Sequence, residues 1–207
     1  DTLKSCRIPF VTITDTPRFP HRGLMIDCSR HFFSIEFLKK QIDMMAHYKL
    51  NRFHWHLTDD PGWRLEIARY PELTRVAAWH KEKEWSNWLS APRKYVPEGT
   101  PGAYGGYYTR EDAKELVRYA AERHIIVIPE IEMPGHCQAA LAAYPELGCA
   151  GGPYEVMSYW DYSDSNFCAG NDEVFKFLNG VLDEVCELFP SGHIHIGGDE
   201  CRKKVWE

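Results

Sequence analysis

The chain of 207 residues has no apolar run approaching the ~20 residues needed to cross a bilayer. Its opening, Asp1 to Phe10, lacks the basic-then-apolar pattern of an export signal, which leaves open one removed ahead of Asp1. It has no excess of positive charge. Its 24 Lys and Arg face 30 Asp and Glu, and the net charge of −6 argues against a nucleic-acid or anionic-membrane partner. Its seven cysteines form no CxxC or metal-finger spacing. No GxGxxG follows the first strand-like run and no GxxxxGK[ST] occurs, which argues against a nucleotide-binding doubly wound sheet. No short-period repeat is present either.

What remains is an ordinary globular composition, 44% hydrophobic and 26% charged, long enough for a well-buried core and one or two domains. The seven cysteines are an odd number, so at least one has no partner within the chain. Cys149 and Cys168 flank a Gly/Pro/Tyr-rich loop and are the pair expected to close it as a disulfide, with burial as free thiols the alternative.

The stretch His193–Glu200 (HIHIGGDE) is the most informative. It starts with the alternation of a strand, then meets two glycines and two adjacent carboxylates, all disfavoured inside a sheet. A strand end explains them. Strict alternation would send Asp199 and Glu200 to opposite faces, and the glycines can relax it. The competing reading is an N-cap and first helical turn.

In order along the chain, residues 1–21 are an extended lead-in broken by Pro9, Pro17 and Pro20. Residues 23–29 read as a buried strand. Ser34 caps a helix through about Tyr48, with apolar residues at 35, 37, 38, 42, 44, 45 and 48. Residues 52–59 are a second strand, ending in Asp59, Asp60, Pro61 and Gly62. Residues 63–108 are irregular and rich in Trp. Thr109 with Asp112 opens a helix to about Arg123. Residues 125–132 are a third strand, broken by Met133–His136. A short helix covers about 138–143. Asn171 caps a long helix to about Phe189, and a fourth strand follows. Strands alternating with helices imply parallel strands joined by crossovers, with the site at the strands' C-terminal ends. The unusual polar residues fall there: Asp27 to Arg30, Asp59 with Asp60, Glu130 to His136, and Asp199 with Glu200.

Two carboxyls at one strand end suit acetal hydrolysis, which needs an acid on the leaving oxygen and stabilisation of positive charge at the sugar carbon. His54 and His56 form an HxH on one strand face. They are either histidines of the core or ones that support the site from behind or, alternatively, the start of a metal-dependent hydrolase site completed by His136, His195 and Asp199. Arg30 and Asp59, opposed, could grip sugar hydroxyls or form an ordinary ion pair. His136 follows a rigid Pro-Gly turn, where it could bridge Asp59 and a catalytic acid. Trp63 and Tyr108 are expected near the rim as sugar-stacking surfaces.

Five stretches together carry a family resemblance: Pro17–Phe33, Lys49–Arg64, Gly106–Arg110, Ile128–His136 and His195–Glu200. Their order and content resemble glycoside hydrolase family 20, the β-N-acetylhexosaminidases. The resemblance implies a (β/α)8 TIM-barrel fold, of which residues 22–207 supply about the first four βα units. It implies exo-hydrolysis of terminal β-linked GlcNAc or GalNAc from glycans, with Glu200 as general acid and then base. Asp199 would orient the substrate's acetamido group, whose oxygen attacks the sugar carbon in a substrate-assisted retaining mechanism. Arg30 would bind sugar hydroxyls, with Glu132 and Trp63 also counted among the substrate-binding residues, and Asp59 with His136 would form a relay to Glu200. The family commonly has Asp at the position of Glu132. No cofactor and no metal is implied, and the family's habit is export: secreted, periplasmic or lysosomal. Strands five to eight, with the aromatic cage for the acetamido group, would lie past Glu207. The 207 residues alone are therefore expected to be weakly active or inactive, and two copies could rebuild a barrel as a homodimer. A non-catalytic glycan-binding module is the alternative from another class.

Overall fold

The computed structural model describes residues 7, 9–81, 98–157 and 165–207. In chain order the elements are β1 (Gly23–Asp27), α1 (Ile35–His47), β2 (Arg52–His56), β3 (Thr58–Asp59), β4 (Gly62–Trp63), α2 (Glu72–Arg75), β5 (Trp79–His80), β6 (Tyr104–Gly105), α3 (Arg110–Ala121), β7 (Ile126–Glu130), α4 (Gln138–Ala143) and α5 (Asp172–Leu188). Single 3-10 turns cover Pro145–Leu147 and Lys203–Trp206. The described residues ahead of β1 carry neither helix nor strand.

The helix boundaries follow from their caps. Ser34 accepts from the Phe37 amide at 3.3 Å. Thr109 and Asp112 form a reciprocal capping box, and Asn171 accepts from the Glu173 amide. Each satisfies a helix-start amide with no partner inside its own helix. In α1 only Ile35, Leu38, Ile42 and Met45 turn inward, at 3-4-3 spacing. Phe37, Met44 and Tyr48, equally apolar, face outward.

β1, β2 and β7 form a parallel sheet in that order. One face buries Phe53, Trp55 and Val127 in a common core with the inward residues of α1, α3 and α5. Burial of aromatic side chains of this size contributes about 1.5–3 kcal/mol each. The opposite face carries Met25, Asp27, His54, His56 and Glu130, because successive side chains alternate. An apolar face under helices and a polar face turned away from them is the arc of a (β/α) barrel.

The expected fourth strand is reduced. His193–Ile196 makes one parallel bridge, Glu130 with His195. Three backbone bonds hold it beside β7: His195 N to Pro129 O at 2.9 Å, Ile131 N to His195 O at 3.0 Å, and Met133 N to Ile196 O at 3.1 Å. Gly197 and Gly198 follow at φ 63° and 96°, which swings the chain off the sheet before a longer ladder can form. The end of the expected second strand turns back on itself as a short antiparallel pair, β3 with β4, and the stretch expected to be irregular holds another, β5 with β6. Trp85 and Trp88 lie outside the described residues. No disulfide closes the loop after α4: Cys149 and Cys168 are both free thiols.

Candidate active site

The parallel register places four titratable side chains in one row. Asp27 pairs with His56, His56 with Glu130, and Glu130 with His195. Aligned residues in a parallel sheet point to the same side, so this row crosses the face opposite the core. Glu130 lies at its centre and takes three imidazoles. His54 Nε2 and His56 Nδ1 each approach Oε2 at 2.6 Å, and His195 Nδ1 approaches Oε1 at 2.6 Å. Burial opposes the charge on Glu130, but His54 and His56 outweigh it and hold the carboxyl far below the usual range.

Past the row, the strand ends converge. Asp27 folds the β1 exit by accepting from the Ser29 and Arg30 amides at 3.0 and 2.9 Å. That turn aims Arg30 across the sheet. Its guanidinium lies 2.9 Å from Asp27 Oδ2 and 2.8 Å from Asp59 Oδ2. The two oxygens of Asp59 divide their partners. Oδ2 takes Arg30 and His56 Nε2, the latter at 3.1 Å, while Oδ1 takes His136 Nδ1 at 3.2 Å and the Asp60 amide at 2.7 Å. Burial would raise the Asp59 pKa, but His136, His56 and Arg30 together hold it down to about 2. His136 Nδ1 also meets Asp60 Oδ2 at 3.3 Å. Hydrogen bonds to Asp59 and Asp60 exceed the burial penalty and hold its imidazolium up to about 11. Asp60 accepts the Gln138 amide at 3.0 Å, which gives α4 the acceptor that its own cap residue, Cys137, does not supply.

The far nitrogen of His136 reaches the paired acids. Nε2 lies 3.3 Å from Glu200 Oε2 and 3.5 Å from Asp199 Oδ2. The angles miss a hydrogen bond, so these contacts are electrostatic, the long geometry common before a substrate binds. The side chains of Asp199 and Glu200 are 64% and 61% exposed, open to an incoming molecule. His136 and Glu200 both have left-handed backbones, at φ 48° and 49°. The structure thus brings Arg30, Asp59, His136, Asp199 and Glu200 to one place, as their strand-end positions implied.

Three expected rim residues are elsewhere. Trp63 is 2% exposed and belongs to the core. Its indole N–H donates to Leu65 O at 2.7 Å, and its ring meets Phe177 edge-on. Tyr108 is buried too, against Trp55, and donates to Phe33 O. Pairing of β4 with β3 turns Trp63 inward, and inward packing is the default for a large aromatic. Glu132, placed with the substrate-binding residues, is 3% exposed and lies beneath the turn that carries the acids. A Cβ on Gly197 would fall 1.6 Å from its Oε2. Burial, then the charges of Asp199, Asp59 and Glu130, push the Glu132 pKa up to about 8.

Two contributors were missed from the sequence. One is Glu130, counted with the polar residues of the third strand's end but given no role of its own, although it stands opposite the HxH pair. The other is Arg64, wholly buried and without a carboxylate partner among the described residues. Its guanidinium donates to the carbonyls of Cys28 (3.1 Å), Ser29 (2.7 Å), Ala78 (2.5 Å) and Gly106 (3.2 Å), tying the β1 exit to the loops that flank it. Burial lowers its pKa to about 10, still charged at neutral pH.

Several His and acid groups converge closely enough to hold a cation, including His54, Glu130 and His195, and His136, Asp199 and Glu200. In the first set each imidazole already points a nitrogen at Glu130 within hydrogen-bond distance, the arrangement of histidines serving a buried carboxylate.

A parallel barrel arc with adjacent acids at one strand tip, served by an Asp-His pair from its neighbours, defines a glycoside hydrolase scaffold. Residues 19–207 match the model of glycosyl hydrolase family 20, catalytic domain, and the chain belongs to that family. The curated beta-hexosaminidase of Porphyromonas gingivalis is 46% identical over 207 residues, all of this chain and 25% of that protein. That of Akkermansia muciniphila is 46% identical, covering 97% of this chain and 38% of that protein. A solved β-N-acetylhexosaminidase superimposes at TM-score 0.83 with 46% identity, over 94% of this chain and 39% of its own. The family 20 β-N-acetylhexosaminidase of Streptomyces coelicolor gives 0.78 at 39% identity, over 93% and 36%. The chain therefore spans between a quarter and two-fifths of the length of these relatives.

Proposed function

We propose that this chain supplies the acid-base half of a β-N-acetylhexosaminidase site that removes terminal β-linked GlcNAc or GalNAc from glycans. The observation that carries the reading is His136, set between Asp59 at 3.2 Å and Glu200 at 3.3 Å with both acids of the pair within its reach. Glu200 donates its proton to the leaving glycosidic oxygen. Asp199 orients the sugar's acetamido group so that its carbonyl oxygen attacks the anomeric carbon, giving an oxazolinium intermediate. Glu200, now a carboxylate, takes a proton from the water that opens this ring, and configuration is retained. Arg30, held by Asp27 and Asp59, binds sugar hydroxyls. This assignment of roles is supported by family membership and by the convergence of the five side chains.

The test is hydrolysis of p-nitrophenyl β-GlcNAc by the complete protein. Glu200→Gln and Asp199→Asn are each expected to lose activity by about a hundredfold or more, the usual contribution of a positioned acid. The corresponding glucoside, without the acetamido group, should be inert. Activity of Glu200→Gln within a few-fold of wild type, or brisk cleavage of the glucoside, would overturn the reading. The 207 residues alone are expected to be weak or inactive, and export and self-association to a dimer belong to the same proposal.

A further inference from the structure

The relay has a second tier. His56 bonds through both nitrogens to carboxylates, Glu130 Oε2 at 2.6 Å on one side and Asp59 Oδ2 at 3.1 Å on the other. A ring that donates to two acceptors carries both protons. It is buried, and burial opposes its charge, yet the bonds to Asp59 and Glu130 raise its pKa to about 10. His56 and Arg30 together occupy Oδ2 of Asp59, which leaves Oδ1 for His136. Glu130 is in turn fixed by His54 and by His195, the latter four residues before Asp199. We propose that His56 and Glu130 are positioning residues of the acid-base relay: the Glu130–His56 pair locks Asp59 so that a single oxygen faces His136, and His136 is thereby held against Glu200. This rests on the proposed function above and extends it to two side chains that touch no substrate.

The groups facing His56 are Glu130 from β7, Glu132 just past its end, Asp59 from β3, Asp27 from β1, and Arg30, whose nitrogen lies 3.4 Å from its Nε2. Loss of the Glu130 charge frees the ring to turn or to shed a proton. Asp59 then rotates, and His136 loses its fixed partner. The damage falls on proton delivery to the leaving oxygen.

Leaving-group dependence separates this from a merely structural role. In the complete protein, kcat/KM is measured for the 2,4-dinitrophenyl and 4-methoxyphenyl β-GlcNAc glycosides. The first leaves without help and the second needs a proton. Glu130→Gln is expected to lower kcat/KM for the methoxyphenyl glycoside by about tenfold or more, part of the contribution of general acid catalysis, and for the dinitrophenyl glycoside by less than about threefold. His56→Gln should show the same split. Equal losses on both substrates, or no loss on either, would overturn the proposal. Should neither variant fold, the wild type decides: the assigned His56 ring must remain doubly protonated at pH 8 in a ¹⁵N spectrum, and titration near the free value of ~6.5 would overturn the proposal. A wild type inactive on both glycosides, or a fully active Glu200→Gln, would instead sink the underlying function, and the two failures are read from different samples.

Discussion

Glu132 makes the fold sensitive to alkali, and removing its charge should cure this. An unfolded glutamate titrates near 4.5, whereas burial and the surrounding acids place Glu132 at about 8. Between those pH values the folded protein keeps a proton that the unfolded chain has released. Stability attributable to this residue is therefore undiminished below about pH 4.5 and falls as pH climbs toward 8. The gap, at 1.36 kcal/mol for each pH unit, corresponds to about 5 kcal/mol as an upper bound. Asp199 is largely exposed and can swing away, and water can enter beneath the turn, so about 2–4 kcal/mol is the expected penalty. Urea denaturation of wild type and Glu132→Gln at pH 5 and pH 9 measures it directly. The variant should match wild type within about 1 kcal/mol at pH 5 and exceed it by about 2–4 kcal/mol at pH 9. An equal difference at the two pH values would show that Glu132 ionises like a solvent-exposed acid, and the reasoning would fail.

Three further outcomes are expected. Arg64→Met should destabilise the protein by about 2–4 kcal/mol in urea, because the thioether removes the guanidinium donors of five carbonyls, of which Ala78 O keeps the Gly106 amide, while relieving the cost of a buried charge; a change under about 1 kcal/mol would contradict this. Gly197→Ala should cripple hydrolysis, since the new methyl would meet Glu132 and the left-handed backbone resists it; Gly151→Ala, in open space at a similar φ, supplies the control for backbone strain alone. Thr109→Ala should cost about 1 kcal/mol of stability by removing the capping box, read as a shift in the urea midpoint.

Much of the framework was legible because it is locally encoded. Ser34, Thr109 with Asp112, and Asn171 announce their helices through side chains that bond within three residues, and the structure starts each helix at the expected place. The parallel strands were visible as apolar runs ending in polar turns. The short antiparallel pairs were not, since two-residue strands such as β3 with β4, or β5 with β6 inside the irregular stretch, carry no periodicity and exist only through tertiary pairing. The convergence of Arg30, Asp59, His136, Asp199 and Glu200 followed from their positions at strand ends. Orientation did not follow. Trp63, Tyr108 and Glu132 are close in sequence to rim residues yet turn inward, and whether a side chain faces cleft or core depends on partners remote along the chain. The role of Glu130 needed the register itself, which alone sets it level with His56 and His195.

The left-handed backbones of His136 and Glu200 have an evolutionary cost attached. Such conformations are disfavoured for residues with a side chain by roughly 1–2 kcal/mol apiece. Glycine at either position would relax the chain and leave nothing to carry a proton. A search for sturdier versions of this protein that scored only melting would drift toward those two glycines, arriving at a tougher molecule with no chemistry left in it.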